Sequence, residues 1–306
     1  MSAARPLTIA TFWHQVEGPT WLIALAIYGG WFALLRFHAA LPWWAIVPLG
    51  AWLVAWHGSL QHETIDALQR VPRLLRALLA YPPLGVFVPF GTYRREHRQH
   101  HRATAHIAEP AWDPETFYHD PVRWNGYPPA LRAIYRVNQT LLGRLTLGAL
   151  LQLAQTLAHG ARAIAAGDRE ARRSWAVHAA LVALLFWWLA AVAKMPWWQY
   201  VALIAYPGAC LAMLRSFSEH RLADDAAHRT ATIENRFPFG LLFLNNNYHA
   251  IHHAAPSLPW YRIPAVWRAE RTALIERSGG FHYAGYATIA RRWLVRTVFE
   301  PVRTVK

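Results

Sequence analysis

Four stretches of this chain stay apolar for nearly the length of a membrane crossing, and they restrict its fold to helices packed within a bilayer. They cover residues 20–35, 41–56, 174–193 and 196–214, each near the roughly 20 residues that span a hydrocarbon core. The shortest, residues 41–56, rises only about 24 Å against roughly 30 Å of hydrocarbon. His57 is therefore expected at or just inside one membrane edge. Matching turns follow the first and third stretches, Leu41-Pro42-Trp43-Trp44 and Met195-Pro196-Trp197-Trp198. Proline suits the first turn of a helix, and tryptophan favours the membrane interface. Two transmembrane hairpins turning at the same face follow. Two buried hairpins of a soluble bundle are the competing arrangement, but such core helices rarely go so long without charge.

Arginine sets the orientation. Of 31 Lys and Arg residues, 15 lie between His57 and Arg173 and 12 from Ser216 onward, while the hairpin turns carry only Arg36 and Lys194. The positive-inside rule places both termini and the segments between the hairpins in the cytosol. The fold class is therefore all-α: an integral membrane bundle of four transmembrane helices in two hairpins, with a cytosolic histidine-rich cap. Residues 1–306 form a single domain without a low-complexity linker. The first twenty residues lack the pattern of a signal peptide, leaving the first span as the targeting element. Two further segments, 71–90 with Pro82, Pro83 and Pro89, and 140–166 with Arg144 interrupting it, are expected as helices in or near the interface.

The net charge of +14 admits a nucleic-acid partner, but no DNA- or RNA-binding signature is present. Anionic lipid headgroups are simpler partners, and an acidic electron-transfer protein could use the same surface. The lone Cys210 excludes a disulfide framework and a cysteine-ligated iron-sulfur cluster. Its place in the fourth stretch suits plain packing.

Nine histidines form a patterned set: His57-x4-His62, His97-x2-His100-His101, His220 behind Glu219, and His249-x2-His252-His253. On a helix, positions i, i+3 and i+4 project to one side, so each triplet can aim three rings at one point. His57 and His62 would stand roughly 140° apart on an ideal helix; they reach the metals from different sides, or the helix ends between them. Taken alone, His220 reads as structural. His14, His38, His106, His119, His159, His178, His228 and His282 have no partner at ligand spacing and read as structural or solvated. Because two spans separate the second box from the third, both return to the same face, as a shared site requires.

Neutral imidazole suits iron, zinc and copper. So many rings exceed the about four ligands of a zinc site. Two six-coordinate ions would use nine histidines and leave roughly three positions for water, a bridging oxygen or dioxygen. The count therefore points to two irons with O2 as co-substrate. Glu63, Glu96 and Glu219 adjoin the boxes, placed to accept the second N–H of ligand rings or, equally, to pair with Arg94, Arg95 or Arg221. An acyl chain could reach such a centre from the membrane, or through a tunnel lined by Trp, Phe and Leu, with its polar head at the basic surface. Oxidant must form there away from bulk water.

The boxes His57-Gly58-Ser59-Leu60-Gln61-His62-Glu63, His97-Arg98-Gln99-His100-His101 and His249-Ala250-Ile251-His252-His253 resemble those of the membrane fatty acid desaturase and hydroxylase superfamily. The segment Arg215-Ser216-Phe217-Ser218-Glu219-His220-Arg221, the run Asn245-Asn246-Asn247 and Pro259-Trp260-Tyr261 resemble its bacterial branch. The resemblance implies a non-haem di-iron centre and oxygen-dependent attack on an unactivated C–H bond. It carries the ligand role to His57, His62, His97, His100, His101, His220, His249, His252 and His253, and a water-mediated role to Asn247. The chain departs from many bacterial relatives at Asp66, where another histidine often follows the first box, and Asp66 is not expected to ligate.

The resemblance implies desaturation of an acyl lipid. The alternative at the same centre is hydroxylation of an alkane, acyl chain or carotenoid-like hydrocarbon. A histidine-bearing transporter would place its histidines at the midplane, and a membrane haem carrier would need axial ligands facing across the bundle. Electrons must come from outside: a ferredoxin, a rubredoxin or a b-type cytochrome with its reductase. The Ala- and Arg-rich composition fits a bacterial inner membrane.

Overall fold

The computed structural model describes Trp13, residues 16–234 and residues 237–302. His14, and residues 1–12 where a signal peptide would begin, lie outside the described residues. Seven helices position the site. Helix α1, Gly18–Phe37, starts with a proline in its first turn. Helix α2, Trp43–Asp66, starts directly after Pro42 and runs unbroken past His57 and His62. Pro89 leads into α3, Phe90–Arg102. Helix α4 is Leu141–Ala165, and α5 is Arg169–Trp188, capped by the Asp168 side chain accepting from the Ala171 N–H. A π turn at Leu189–Ala193, the short helix Trp197–Tyr200 and a second π turn at Val201–Ala205 lead to α6, Tyr206–Ser216. Helix α7, His249–Ala254, carries the third box.

Segment 71–90 differs from expectation. It holds one short helix, Arg73–Ala80, which ends with Tyr81 still in helical geometry and its N–H donating to the Ala77 carbonyl, immediately before Pro82. Pro82 and Pro83 explain the stop, since proline has no amide donor to continue the helical bonds and its ring clashes with the carbonyl four residues back. The short helix exposes Leu74 and Leu78 beside Arg73 and Arg76, a pattern that suits the membrane interface.

Gly18–Ala40, Leu141–Ala165, Arg169–Ala193 and Trp197–Ser216 are long and apolar enough to cross a membrane. This set includes α4 and omits α2, whose apolar part stops at Trp56 before the polar run from His57 to Asp66. Contacts decide which helices cross. Helix α4 begins with Arg144 stacked 3.5 Å over Phe117 and 5.6 Å from Phe217, just beyond α6. It leads to Asp168, which pairs with Arg95 of α3 at 2.6 Å. Helix α5 then starts beside α3, where Ser174 meets Thr92 at 3.2 Å, and runs away until Trp188 stacks on Trp31. Both ends of α4 thus lie at the histidine end of the bundle, so it lies along that end instead of crossing. Helix α2 runs from the Pro-Trp-Trp turn to His62 and crosses. The protein is a multi-pass membrane protein whose spans are α1, α2, α5 and the 197–216 segment. Arg144 leaves α4 unbroken, because its fully buried side chain turns inward between aromatic rings.

Small residues let the spans approach closely. A Cβ added to Gly208 would lie 2.4 Å from Val54 Cβ, and one on Gly50 would lie 2.8 Å from Ile204 Cγ1. Neither neighbour is the far end of a flexible side chain. Gly208→Val is therefore expected to destabilise the bundle by about 1–3 kcal/mol, read as a lower thermal midpoint in detergent. One buried polar chain ties the spans together: Trp31 Nε1–H donates to Tyr200 Oη at 3.0 Å, and Tyr200 donates to the Leu84 carbonyl at 2.7 Å.

Candidate metal centre

Three helices and one bridged segment bring the boxes together. The rings of α3 and α7 meet between their helices, with the end of α2 on one side. His220 is held by an isolated antiparallel bridge to Thr230. The strand that follows, Thr232–Ile233, pairs in parallel with His282–Tyr283, and Ala250 N–H donates to the Ala231 carbonyl at 3.0 Å. The His220 segment and the third box are thus pinned to one ribbon.

Two groups of donor atoms result: His62, Asp66, His97, His101 and His252 in the first, and His100, His220, His249 and His253 in the second, each within 4.8 Å. In the first, His101 Nε2 lies 3.0 Å from Nε2 of both His97 and His252. In the second, His249 Nε2 lies 2.9 Å from His220 Nε2 and 3.1 Å from His253 Nε2, and His100 Nε2 lies 3.2 Å from His253 Nε2. Each triplet divides the same way. Its outer pair, four residues apart and on one helical face, serves one group, and its middle histidine serves the other.

The groups fit metal ions on electrostatic grounds. Ring nitrogens face one another at hydrogen-bond distance, and a neutral imidazole has one proton for two nitrogens. Several Nδ1–H groups are already committed: His97 donates to Glu115 Oε1 at 2.9 Å, His100 to Asp113 Oδ1 at 2.8 Å, and His249 to Asn246 at 3.2 Å. Their Nε2 lone pairs then point into the groups, where only a cation makes the convergence favourable. Burial holds His249, His252 and His253 well below the usual imidazole range. It also lowers His101 to about 4 and His220 to about 3. His97 and His100 are the exceptions: burial opposes their protonation, but Glu115 and Asp66 outweigh that at His97 and hold it up at about 9, and Glu115 and Asp113 outweigh it at His100. The same carboxylates would favour a bound cation.

Of the nine predicted ligands, eight converge. His57 does not join either group: its Nε2 lies 3.0 Å from the Tyr28 hydroxyl. Asp66, expected to stand aside, joins the first. The carboxylates adjoining the boxes are less involved than expected. Glu63 accepts from Trp260 N–H at 3.1 Å, Glu96 lines a cavity, and Glu219 lies 3.7 Å from both Arg215 and His249 Nδ1. Asp113 and Glu115 orient the second box instead, in a loop fastened by Ala108 and Glu115 N–H groups donating to Asp113 at 2.7 and 2.8 Å. Their signal in the sequence is Trp112-Asp113-Pro114-Glu115, two carboxylates around a proline shortly after the box. Asn247 donates to the Ile233 carbonyl at 2.7 Å, while its neighbour Asn246 reaches His62 Nε2 at 3.1 Å. Among the remaining histidines, His38, His178 and His282 bond to the Leu35 carbonyl, the Val86 carbonyl and Glu234, as structural histidines do.

A cavity of about 250 Å³ lies between α2, α4 and α6. Val54, Val86, Phe87, Leu153, Met213 and Phe243 supply much of its wall, with His57, Glu96, Gln152 and His159 among the polar groups. Ser59, Arg215 and Phe243 separate it from a small void at His62 and His252.

Removing the Glu115 carboxylate while keeping its shape tests the orienting role. Glu115→Gln is expected to weaken metal binding about 10–100-fold, measured by competition with a chelator.

The model of a family described as fatty acid desaturase matches residues 39–285, a span that contains all three boxes and His220. No curated protein matches the chain.

Proposed function

The chain belongs to the fatty acid desaturase family of membrane oxidoreductases, and from that premise we propose that it desaturates an acyl lipid, using dioxygen and external electrons at a histidine-held di-iron centre. The observation that carries the reading is the pair of buried histidine groups beside a mostly apolar cavity of about 250 Å³. His62, His97, His101 and His252 would hold one iron, and His100, His220, His249 and His253 the other. The bound irons supply activation of dioxygen for removal of hydrogen from an unactivated C–H bond.

The protein's own residues do the rest. Val54, Phe87, Leu153 and Met213 hold an alkyl chain and exclude water, which protects a reactive oxidant. Ser59, Arg215 and Phe243 set how closely the chain approaches the first histidine group. Asp113 and Glu115 keep their histidines in the tautomer that presents Nε2. With the histidine end cytosolic, as the arginine asymmetry supports, the membrane is a bacterial inner membrane and lipid reaches the cavity from its plane.

Electrons come from a separate ferredoxin, rubredoxin or b-type cytochrome. Arg73, Arg94 and Arg98 each lie near enough to Arg76 to oppose its charge, and this basic patch suits an acidic donor. Arg95 is committed to Asp168, so Arg94 and Arg98 are the informative positions. The double reversal Arg94→Glu, Arg98→Glu is expected to slow donor-supported turnover and to abolish its dependence on ionic strength; unchanged turnover would place the donor elsewhere.

The decisive experiment reduces the iron-loaded protein, adds oxygen with mixed acyl and hydrocarbon substrates, and weighs the products. A product lighter by two hydrogens supports desaturation. One heavier by a single oxygen reassigns the protein to hydroxylation, and absence of bound iron in folded protein removes the reading.

A further inference from the structure

We propose that Asp66 is a metal ligand, so that one site of this centre joins a carboxylate oxygen to four imidazoles while the other is held by imidazoles alone. The proposal rests on the di-metal reading above and concerns how the two sites differ.

Helix geometry supplies the first argument. Helix α2 is continuous from Trp43 to Asp66, so residues four apart lie about 40° apart around it and residues five apart about 140°. His62 and Asp66 therefore share a face, and His57 does not. The contacts agree. Asp66 Oδ2 lies 2.9 Å from His97 Nε2, 3.7 Å from His252 Nε2, 3.8 Å from His101 Nε2 and 3.9 Å from His62 Nε2, with its side chain only 11% exposed. One carboxylate oxygen thus stands amid four ring nitrogens. His97 Nδ1–H is committed to Glu115, so its Nε2 and the Asp66 oxygen share the one remaining position between them, which a metal cation can take in place of a proton. A cation between them satisfies both, together with the other three rings.

His57 has the opposite surroundings. Tyr28 Oη–H donates to the Leu79 carbonyl at 2.8 Å, so its oxygen accepts from His57 Nε2–H at 3.0 Å. That nitrogen carries a proton and has no lone pair for a metal. His57 lines the 250 Å³ cavity instead and belongs to the substrate wall. The carboxylate adds a hard oxygen donor and one negative charge to a single site, which makes the two ions inequivalent.

The test uses the full chain in detergent, stripped of metal and loaded anaerobically with ⁵⁷Fe(II). The native protein is expected to bind about two ions and to show two resolved Mössbauer doublets of equal area. Asp66→Ala leaves that site four imidazoles, as the other site has, and should weaken one ion about tenfold or more and move its doublet toward the other. Asp66→His should hold both ions with the two doublets drawn together, and His57→Gln should keep the native ion count and spectrum. Size exclusion and circular dichroism report folding. If the alanine variant does not fold, the isosteric Asp66→Asn carries the test through about tenfold or greater weakening of one ion. Two ions with native doublets in the Asp66 variants, or an ion lost in His57→Gln, would overturn the proposal. Failure of the native protein to bind metal would instead remove the di-metal reading itself.

Discussion

Replacing His253 with alanine is expected to lower turnover by more than about 100-fold, beyond the roughly 10–100-fold that removal of a residue orienting a metal ligand costs. His253 Nε2 lies 3.2 Å from His100 Nε2 and 3.1 Å from His249 Nε2, so its loss opens the second group on two sides. Iron per chain should fall from about two toward one, because a four-imidazole site that loses one donor competes poorly for a divalent ion. His282→Ala is the matching control. That ring stacks on Trp267 and bonds to Glu234 outside both groups, so the variant should keep its iron and its turnover. Metal analysis alongside product formation reads both variants. Full activity and two irons in His253→Ala would mean that the second group is not a metal site.

The cavity supports the second large effect. Ala212 lies on α6 in the cavity wall, and Ala149 lies on α4 in the same wall. Tryptophan at Ala212 would fill space that an alkyl chain occupies. Excluding about four methylenes at about 0.8 kcal/mol each costs roughly 3 kcal/mol, or on the order of 100-fold in kcat/KM for long chains. Short chains should be spared and iron content unchanged. The measurement is turnover across a series of acyl lengths; the same profile as the native protein would exclude this cavity as the chain's path.

The two interfacial segments show where sequence reading holds and where it stops. Segment 140–166 follows a helical pattern, and it forms one helix because Arg144 buries its guanidinium over Phe117. Nothing local could announce that aromatic cradle, since Phe117 and Phe217 come from distant parts of the chain. Segment 71–90 breaks at Pro82 and Pro83 for reasons wholly local to the chain. Composition also leaves the spans ambiguous. Residues 141–165 are apolar enough to cross, whereas the 43–66 helix carries a polar end; only the contacts at Phe217, Arg95 and Trp31 decide between them.

The second-box partners make the same point. Glu63 and Glu96 adjoin histidines on helices, where adjacency sends side chains about 100° apart. Asp113 and Glu115 reach His100 and His97 from a loop that folds back across the helix.

By itself the sequence determined the properties that repeat at helical or membrane spacing: the apolar spans, the two turns, and triplets whose rings share a helical side. These depend on backbone geometry and on the length of a bilayer, which are the same in every chain. Tertiary structure decided the rest: which histidines share a group, that Asp66 enters where His57 does not, and that α4 lies along the histidine end. Helix rotation set Asp66 and His57 on different faces from the start, but which face meets the triplets depends on how α2 packs against α3 and α7. That is a relation between atoms far apart in the chain, and no local period encodes it.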